Sequence, residues 1–201
     1  MFIQTEEELR EIYGFPTGRA KDKQLPSLEK HAINFIAHSP FMLLSTSNAA
    51  GKLDCSPRGG SPGFVHVKDE NCILIPDAKG NNRIDSLVNI VETKRAGCLF
   101  LIPGVDETLR VNGRASISAD QSYLSYFEDQ AKPAISCVVL QIEEVFLHCA
   151  KALMRSSLWD VQSQIERSRF PTMGRMIKEQ LNLGGETETQ EQMIERYKKD
   201  I

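Results

Sequence analysis

The sequence is short of most features that announce a chemistry. Its five cysteines (55, 72, 98, 137 and 149) are odd in number, and none stands in a Cys-x-x-Cys pair. That argues against a disulfide framework or a structural zinc site and for a reducing, cytoplasmic setting. The histidines at 31, 38, 66 and 148 are scattered, without the spacing of metal ligands. No apolar run approaches the ~20 residues that cross a bilayer. The start, Met-Phe-Ile-Gln-Thr-Glu-Glu-Glu, lacks the basic end and apolar centre of a signal peptide. A net charge of −3 gives no global attraction to nucleic acid or an anionic membrane. No internal repeat, low-complexity segment or nucleophile–base constellation is present. There is one tryptophan, Trp159, placed to pack at a helix end.

What is present fits a globular chain. The 201 residues, 41% hydrophobic and 25% charged, are enough to bury one core as a single domain over residues 1–201. Thr5 and Glu8 form a capping box for a helix to about Tyr13, stopped by Gly14 and Pro16. Ser27 caps a second helix with Leu28, Ala32, Phe35 and Ile36 on one face. From Phe41 the period changes to that of strands: 41–47, 52–56, a hairpin of 64–67 and 72–75, the nearly all-apolar 96–102, and the alternating 108–118 and 134–147. Asn81 or Asn82 caps an inserted helix from Arg83 to about Thr93, and residues 121–130 form a short one. Helices over 149–157, 173–181 and 189–200 close the chain. The fold class is mainly β with flanking helices (α+β). Strands at this spacing indicate an antiparallel barrel rather than a parallel sheet. The core spans 27–148, followed by a helical extension over 149–201.

The candidate chemistry lies between Cys55 and Arg83. Two glycine-rich turns, Ser56-Pro-Arg-Gly-Gly and Lys79-Gly-Asn-Asn-Arg83, each carry cations, and the second opens onto a helix. Backbone N–H groups, guanidinium forks and a helix start together suit a phosphate-bearing ligand. Each cation also has a plain reading as a solvated turn residue. His148 reads as a core or helix-associated histidine, and Lys151 with Arg155 can meet an anion or water alike. Cys55, beside the first turn, is the cysteine placed to react.

Taken with Phe41-Met-Leu-Leu-Ser-Thr-Ser, Ile75-Pro-Asp-x-x-Gly-Asn-Asn-Arg, Asp85-Ser and Thr108-Leu-Arg-Val-Asn-Gly-Arg, these motifs resemble the pyridoxamine 5′-phosphate oxidase-like family of FMN-binding split β-barrels, in particular a bacterial subgroup without an assigned substrate. The resemblance covers roughly residues 27–160, with Cys149-Ala-Lys-Ala-Leu-x-Arg-Ser-x-Leu-Trp159 also similar. It implies a homodimer with FMN between two barrels. The cofactor-binding residues it implies are Ser56, Arg58, Lys79, Asn82, Arg83 and Ser86 about the phosphate. Thr108, Arg110 and Lys151 join them, with the strand from Thr108 facing the flavin of the partner subunit. The implied activity is an FMN-dependent oxidoreductase moving hydride between a small organic substrate and the cofactor, with no catalytic side chain identified. The proline-rich first turn and the tail after Trp159 depart from pyridoxamine phosphate oxidases proper, which argues against that substrate. The alternatives are a flavin-binding or flavin-storing protein without turnover, or the same barrel holding a deazaflavin or haem.

Overall fold

The computed structural model describes residues 2–198. Two helices lead in, α1 (Glu6–Tyr13) and the single turn α2 (Arg19–Asp22), followed by the two-residue strand β1 (Gln24–Leu25) and α3 (Lys30–His38). The sheet strands are β2 (Phe41–Ser47), β3 (Leu53–Gly59), β4 (His66–Asp69), β5 (Cys72–Ala78), β6 (Arg95–Leu101), β7 (Thr108–Ser118) and β8 (Ala134–His148). Helix α4 (Asp85–Thr93) is inserted between β5 and β6, and α5 (Gln121–Leu124) runs into a 3₁₀ turn before β8. Helices α6 (Lys151–Ser156), α7 (Met173–Gln180) and α8 (Gln190–Tyr197) end the described chain.

The eight strands form one sheet in the order β3-β2-β6-β7-β8-β5-β4, with β1 added alongside β8. Every pairing is antiparallel. Alternation in the sequence explains which face is inward. Met42, Leu44 and Thr46 are buried on β2, Ala96, Cys98 and Phe100 on β6, and Leu109 and Val111 on β7, as the two-residue period of a strand requires. Ala32, Phe35 and Ile36 of α3 join the same core. A smaller cluster of Cys72, Leu74, Phe127, Cys137 and Val139 lies beneath the 3₁₀ turn. Among the described side chains none before Leu28 or after Val145 is buried. The buried mass therefore comes mostly from the strands, α3 and α4, with Leu28, Phe64, Val65 and Phe127 added from the segments between them. The strand expected over 64–67 lies two residues on, at His66–Asp69.

Several boundaries differ from the sequence reading, each for a local reason. Glu29, not Ser27, caps α3, its carboxylate accepting from the backbone N–H of His31 and Ala32. The N-cap position of α4 is Ile84, with left-handed backbone and no side-chain cap, so neither Asn81 nor Asn82 caps that helix. Asn81 instead accepts from the N–H of Arg83 at 3.1 Å and closes a local turn. Strand β3 runs on to Gly59 through Pro57, which an edge strand tolerates because it needs no proline N–H there. The helix expected over 121–130 is split into α5 and the 3₁₀ turn. The expected end of the last helix at Asp200 lies outside the described residues. The capping box at Thr5 and Glu8 is present as expected.

Helix α4 is tied to the barrel by polar contacts as well as by buried Ile90. Asn89 Nδ2 donates to Thr46 Oγ1 at 3.0 Å in a buried setting. Thr93 Oγ1 lies 3.1 Å from the Ser47 carbonyl. These contacts fix the helix beside β2 and β3, and with it the turn that precedes it.

Candidate functional site

A cleft of about 1170 Å³ opens where the two ends of the sheet path approach. That is slightly above the ~300–1,000 Å³ usual for ligand sites, room for more than one small molecule. Its walls are residues 56–64 from the end of β3 and the following loop, and 76–87 from β5 through the start of α4. Residues 126, 129–132 and 135 complete the rim.

Arg58 reaches across the gap. Strands β3 and β5 are not neighbours in the sheet, yet Arg58 Nε lies 3.9 Å from Asp77 Oδ1. Arg58 also donates to Ser86 Oγ at 3.4 Å and to the Pro57 carbonyl at 3.0 Å. Ser86, buried in the first turn of α4, donates to Asp54 Oδ2 at 2.5 Å. Ser56 Oγ lies 3.1 and 3.0 Å from the two oxygens of the same carboxylate. At the rim, Arg83 pairs with Asp85 at 2.9 Å, its side chain 75% exposed. Burial raises the Asp77 carboxyl above the ordinary carboxylate range, and Arg58 opposes that. Cys98, inside the barrel wall, is pushed up to about 12 by burial, so it is an inert core thiol. Cys55 is exposed on the outward side of β3.

The glycine content of the first turn has a steric cause. A Cβ on Gly60 would come within 2.7 Å of Phe64 Cβ, so the loop can fold over Phe64 only without a side chain. In the second turn Asn82 and Ile84 both have left-handed backbone (φ 61° and 47°). For a β-branched residue such as Ile84 this is strained, by about 1–3 kcal/mol. Strain of that kind collects at ligand-holding segments.

The structure brings together six of the nine residues expected to bind cofactor: Ser56, Arg58, Lys79, Asn82, Arg83 and Ser86 all line this cleft. Thr108, Arg110 and Lys151 do not. Thr108 opens β7 opposite His148, and Lys151 begins α6 just beyond. Arg110 pairs with Glu144 on β8 and lies 5.0 Å over the Phe146 ring. Its Nε is buried without a hydrogen-bond partner. His148 packs edge-on against Phe146 at 4.9 Å, and Trp159 donates to the Val105 carbonyl at 2.9 Å, the packing role expected of it.

Asp54, Asp77 and Tyr126 were missed by the sequence reading. Asp54 had a signal, since it alternates with Ser56 and Arg58 on one face of β3. Asp77 directly precedes the second turn. Tyr126 had none: it reaches the rim through the fold, stacked on His66 at 4.3 Å between centroids.

The donor set suits a phosphate ester. It offers two guanidinium groups, Lys79, and a strained turn leading to a helix whose first turn no side chain caps. Among the described residues no cluster of ligating side chains could hold a metal ion, and no helix is long and apolar enough to cross a membrane.

An antiparallel barrel with a cleft across its open seam places the chain in the split-barrel class of folds. Residues 28–149, more than half of the chain, match the pyridoxamine 5′-phosphate oxidase family model, and the chain belongs to that family. Among solved structures it is similar to HupZ of Group A Streptococcus, at 12% identity and a TM-score of 0.51, over 60% of this chain and 93% of that one. A Lactobacillus delbrueckii protein, provisionally assigned as a pyridoxamine 5′-phosphate oxidase, shares 22% identity over 62% and 98% of the two chains with a TM-score of 0.49. An FMN-binding protein from Syntrophomonas wolfei shares 17% over 58% and 81%, with a TM-score of 0.42. At 12% identity the likeness to HupZ concerns the fold alone. No curated protein sequence matches the chain.

Proposed function

We propose that this protein is an FMN-dependent oxidoreductase that works as a homodimer. The observation that carries the reading is the convergence of Arg58, Lys79, Arg83 and Ser86 on one cleft in a chain of this family. FMN's phosphate, with close to two negative charges near neutral pH by analogy with phosphorylated side chains, would be held by Arg58, Arg83 and the 79–83 turn. Flavin supplies the hydride-accepting chemistry when bound, which fits the lack of a nucleophile–base pair in the sequence. The chain's own work is then to bind, orient and exclude water. Arg58 would bridge the seam and face the phosphate at once. Tyr126, 47% exposed at the rim, offers a flat surface for the ring system. Thr108, Arg110 and Lys151 would complete the site from a second copy of the chain. The substrate would be a small organic molecule admitted to the cleft beside the flavin.

The absorption spectrum of the purified protein, before and after adding FMN, tests the reading. Bound FMN should give two bands in the visible and near-ultraviolet. A colourless protein that takes up no added FMN sinks the proposal, and a haem or deazaflavin spectrum redirects it to that ligand. Arg83→Ala should weaken FMN by about 1.5–3 kcal/mol, the range for a hydrogen bond to a charged group. Unchanged affinity removes Arg83 from the site. Bound FMN without turnover of any amine, nicotinamide or quinone would leave a flavin-binding protein that is not an enzyme.

A further inference from the structure

We propose that Asp54 competes with the ligand's phosphate for the Ser56 and Ser86 hydroxyls and so weakens the cleft's hold on a phosphorylated flavin relative to one without the phosphate. The inference rests on the reading of the cleft as an FMN site and adds a residue that works against the phosphate.

The geometry is specific. Asp54, Ser56 and Arg58 alternate along β3 as its partly buried residues, while Leu53, Cys55, Pro57 and Gly59 are exposed. Asp54 therefore shares a face with the two residues best placed for phosphate. Its carboxylate accepts from Ser56 at 3.0–3.1 Å and from Ser86 at 2.5 Å. An ionised carboxylate has acceptors only, so both hydroxyl protons point at Asp54. Ser86 Oγ meanwhile takes the Arg58 contact at 3.4 Å. Both serines thus present oxygen lone pairs, and neither offers a proton, to anything entering the cleft.

A phosphate is also rich in acceptors and negatively charged. To be bound by these hydroxyls it must turn both protons away from Asp54. That breaks a contact in the short, charge-assisted range and leaves a partly buried carboxylate with fewer donors beside a like charge, an arrangement that costs free energy. Asp77 differs, since it faces Arg58 across the seam and takes no serine proton. Asp54 is therefore set against the phosphate through the serines.

The test compares FMN with riboflavin, which lacks the phosphate, by fluorescence titration of the full chain. Asp54→Asn removes the charge and adds an N–H donor. It should tighten FMN about tenfold, the effect of regaining a charge-assisted contact, and leave riboflavin unchanged. Unchanged FMN affinity overturns the proposal. So does weaker binding of both ligands, which would make Asp54 an acceptor for the ribityl hydroxyls. Asp54→Ser, neutral and smaller, keeps the question open to decision if Asp54→Asn fails to fold. It also removes the competing carboxylate, so it should likewise tighten FMN about tenfold and leave riboflavin unchanged. Unchanged FMN affinity in a folded Asp54→Ser protein overturns the proposal. If the unaltered protein binds neither ligand, the cofactor reading fails and this inference with it. If it binds FMN and the variants behave otherwise than stated, this inference alone fails.

Discussion

His66 and His148 each hold an imidazole in a setting that resists protonation. Burial depresses His66, which is stacked on Tyr126. Burial also depresses His148, with Arg110 and Lys23 adding repulsion and Glu144 opposing them. For a base with a folded pKa below its unfolded value, the unfolded chain binds more protons between the two. Stability is then fully present above the unfolded value near 6.5 and is lost as pH falls through the folded value. The urea midpoint should therefore drop between pH 7.5 and pH 5.5, above the range where ordinary carboxylates titrate. His66→Phe keeps a ring against Tyr126 and should shrink that drop, while His148 sustains the rest. A variant whose midpoint falls as steeply as the unaltered protein's would assign the effect elsewhere. Neither shift was legible in the sequence, where His66 stands apart from other histidines and His148 reads as a core or helix-associated one. Each depends on what the fold packs around the ring, information that no local spacing carries.

At the scale of elements, the β7–β8 ladder is the longest pairing in the sheet, and it slips register between Asn112 and Gly113. There the two backbones come so close that a Cβ on Gly113 would lie 1.9 Å from the Gln141 carbonyl oxygen. The glycine is required because its neighbour is main chain and cannot turn aside as a side chain would. Gly113→Ala should cost about 3 kcal/mol, the upper end for forcing atoms into a packed interior, read as a lower urea midpoint with unchanged slope. A loss under about 1 kcal/mol would mean the strands separate there at little cost. Elements of this kind were legible to different depths. Strands β2 and β7 stand out because their burial alternates, and the two turns of the site stand out because glycine, asparagine and arginine cluster locally. The start of α4 did not, since an isoleucine at φ 47° violates the preference that made Asn82 the expected cap. The site's cations were thus visible from turn chemistry. The seam joining them, with Asp77 opposite Arg58, follows from sheet closure and was not.

At the scale of the whole molecule, the described chain after Trp159 makes secondary structure without a buried residue. Thr172 and Thr189 cap α7 and α8, the latter with a full capping box, yet neither helix has a buried residue. Each has eight residues, below the ~12–15 at which isolated helices hold in water. The contacts inside this segment are largely exposed and polar, such as Arg196 with Glu188 and Arg175 with Glu179, and exposed pairs of this kind contribute little. Its apolar side chains face outward, among them Val161, Ile165, Phe170 and Leu181. A second copy of the chain would give them a surface to cover, consistent with the homodimer proposed above. The full chain should therefore scatter light as a particle of twice the 22.6 kDa chain mass. A chain ending at Asp160 keeps the Trp159 contact to Val105 and the entire buried core, so its barrel should unfold at nearly the same temperature. Its dimer should dissociate at higher protein concentration, and it should retain less FMN on gel filtration. A full chain of monomer mass would reject the dimer. A truncated chain that pairs as tightly and keeps its flavin would show that the barrels alone make the interface and that the terminal helices serve another partner.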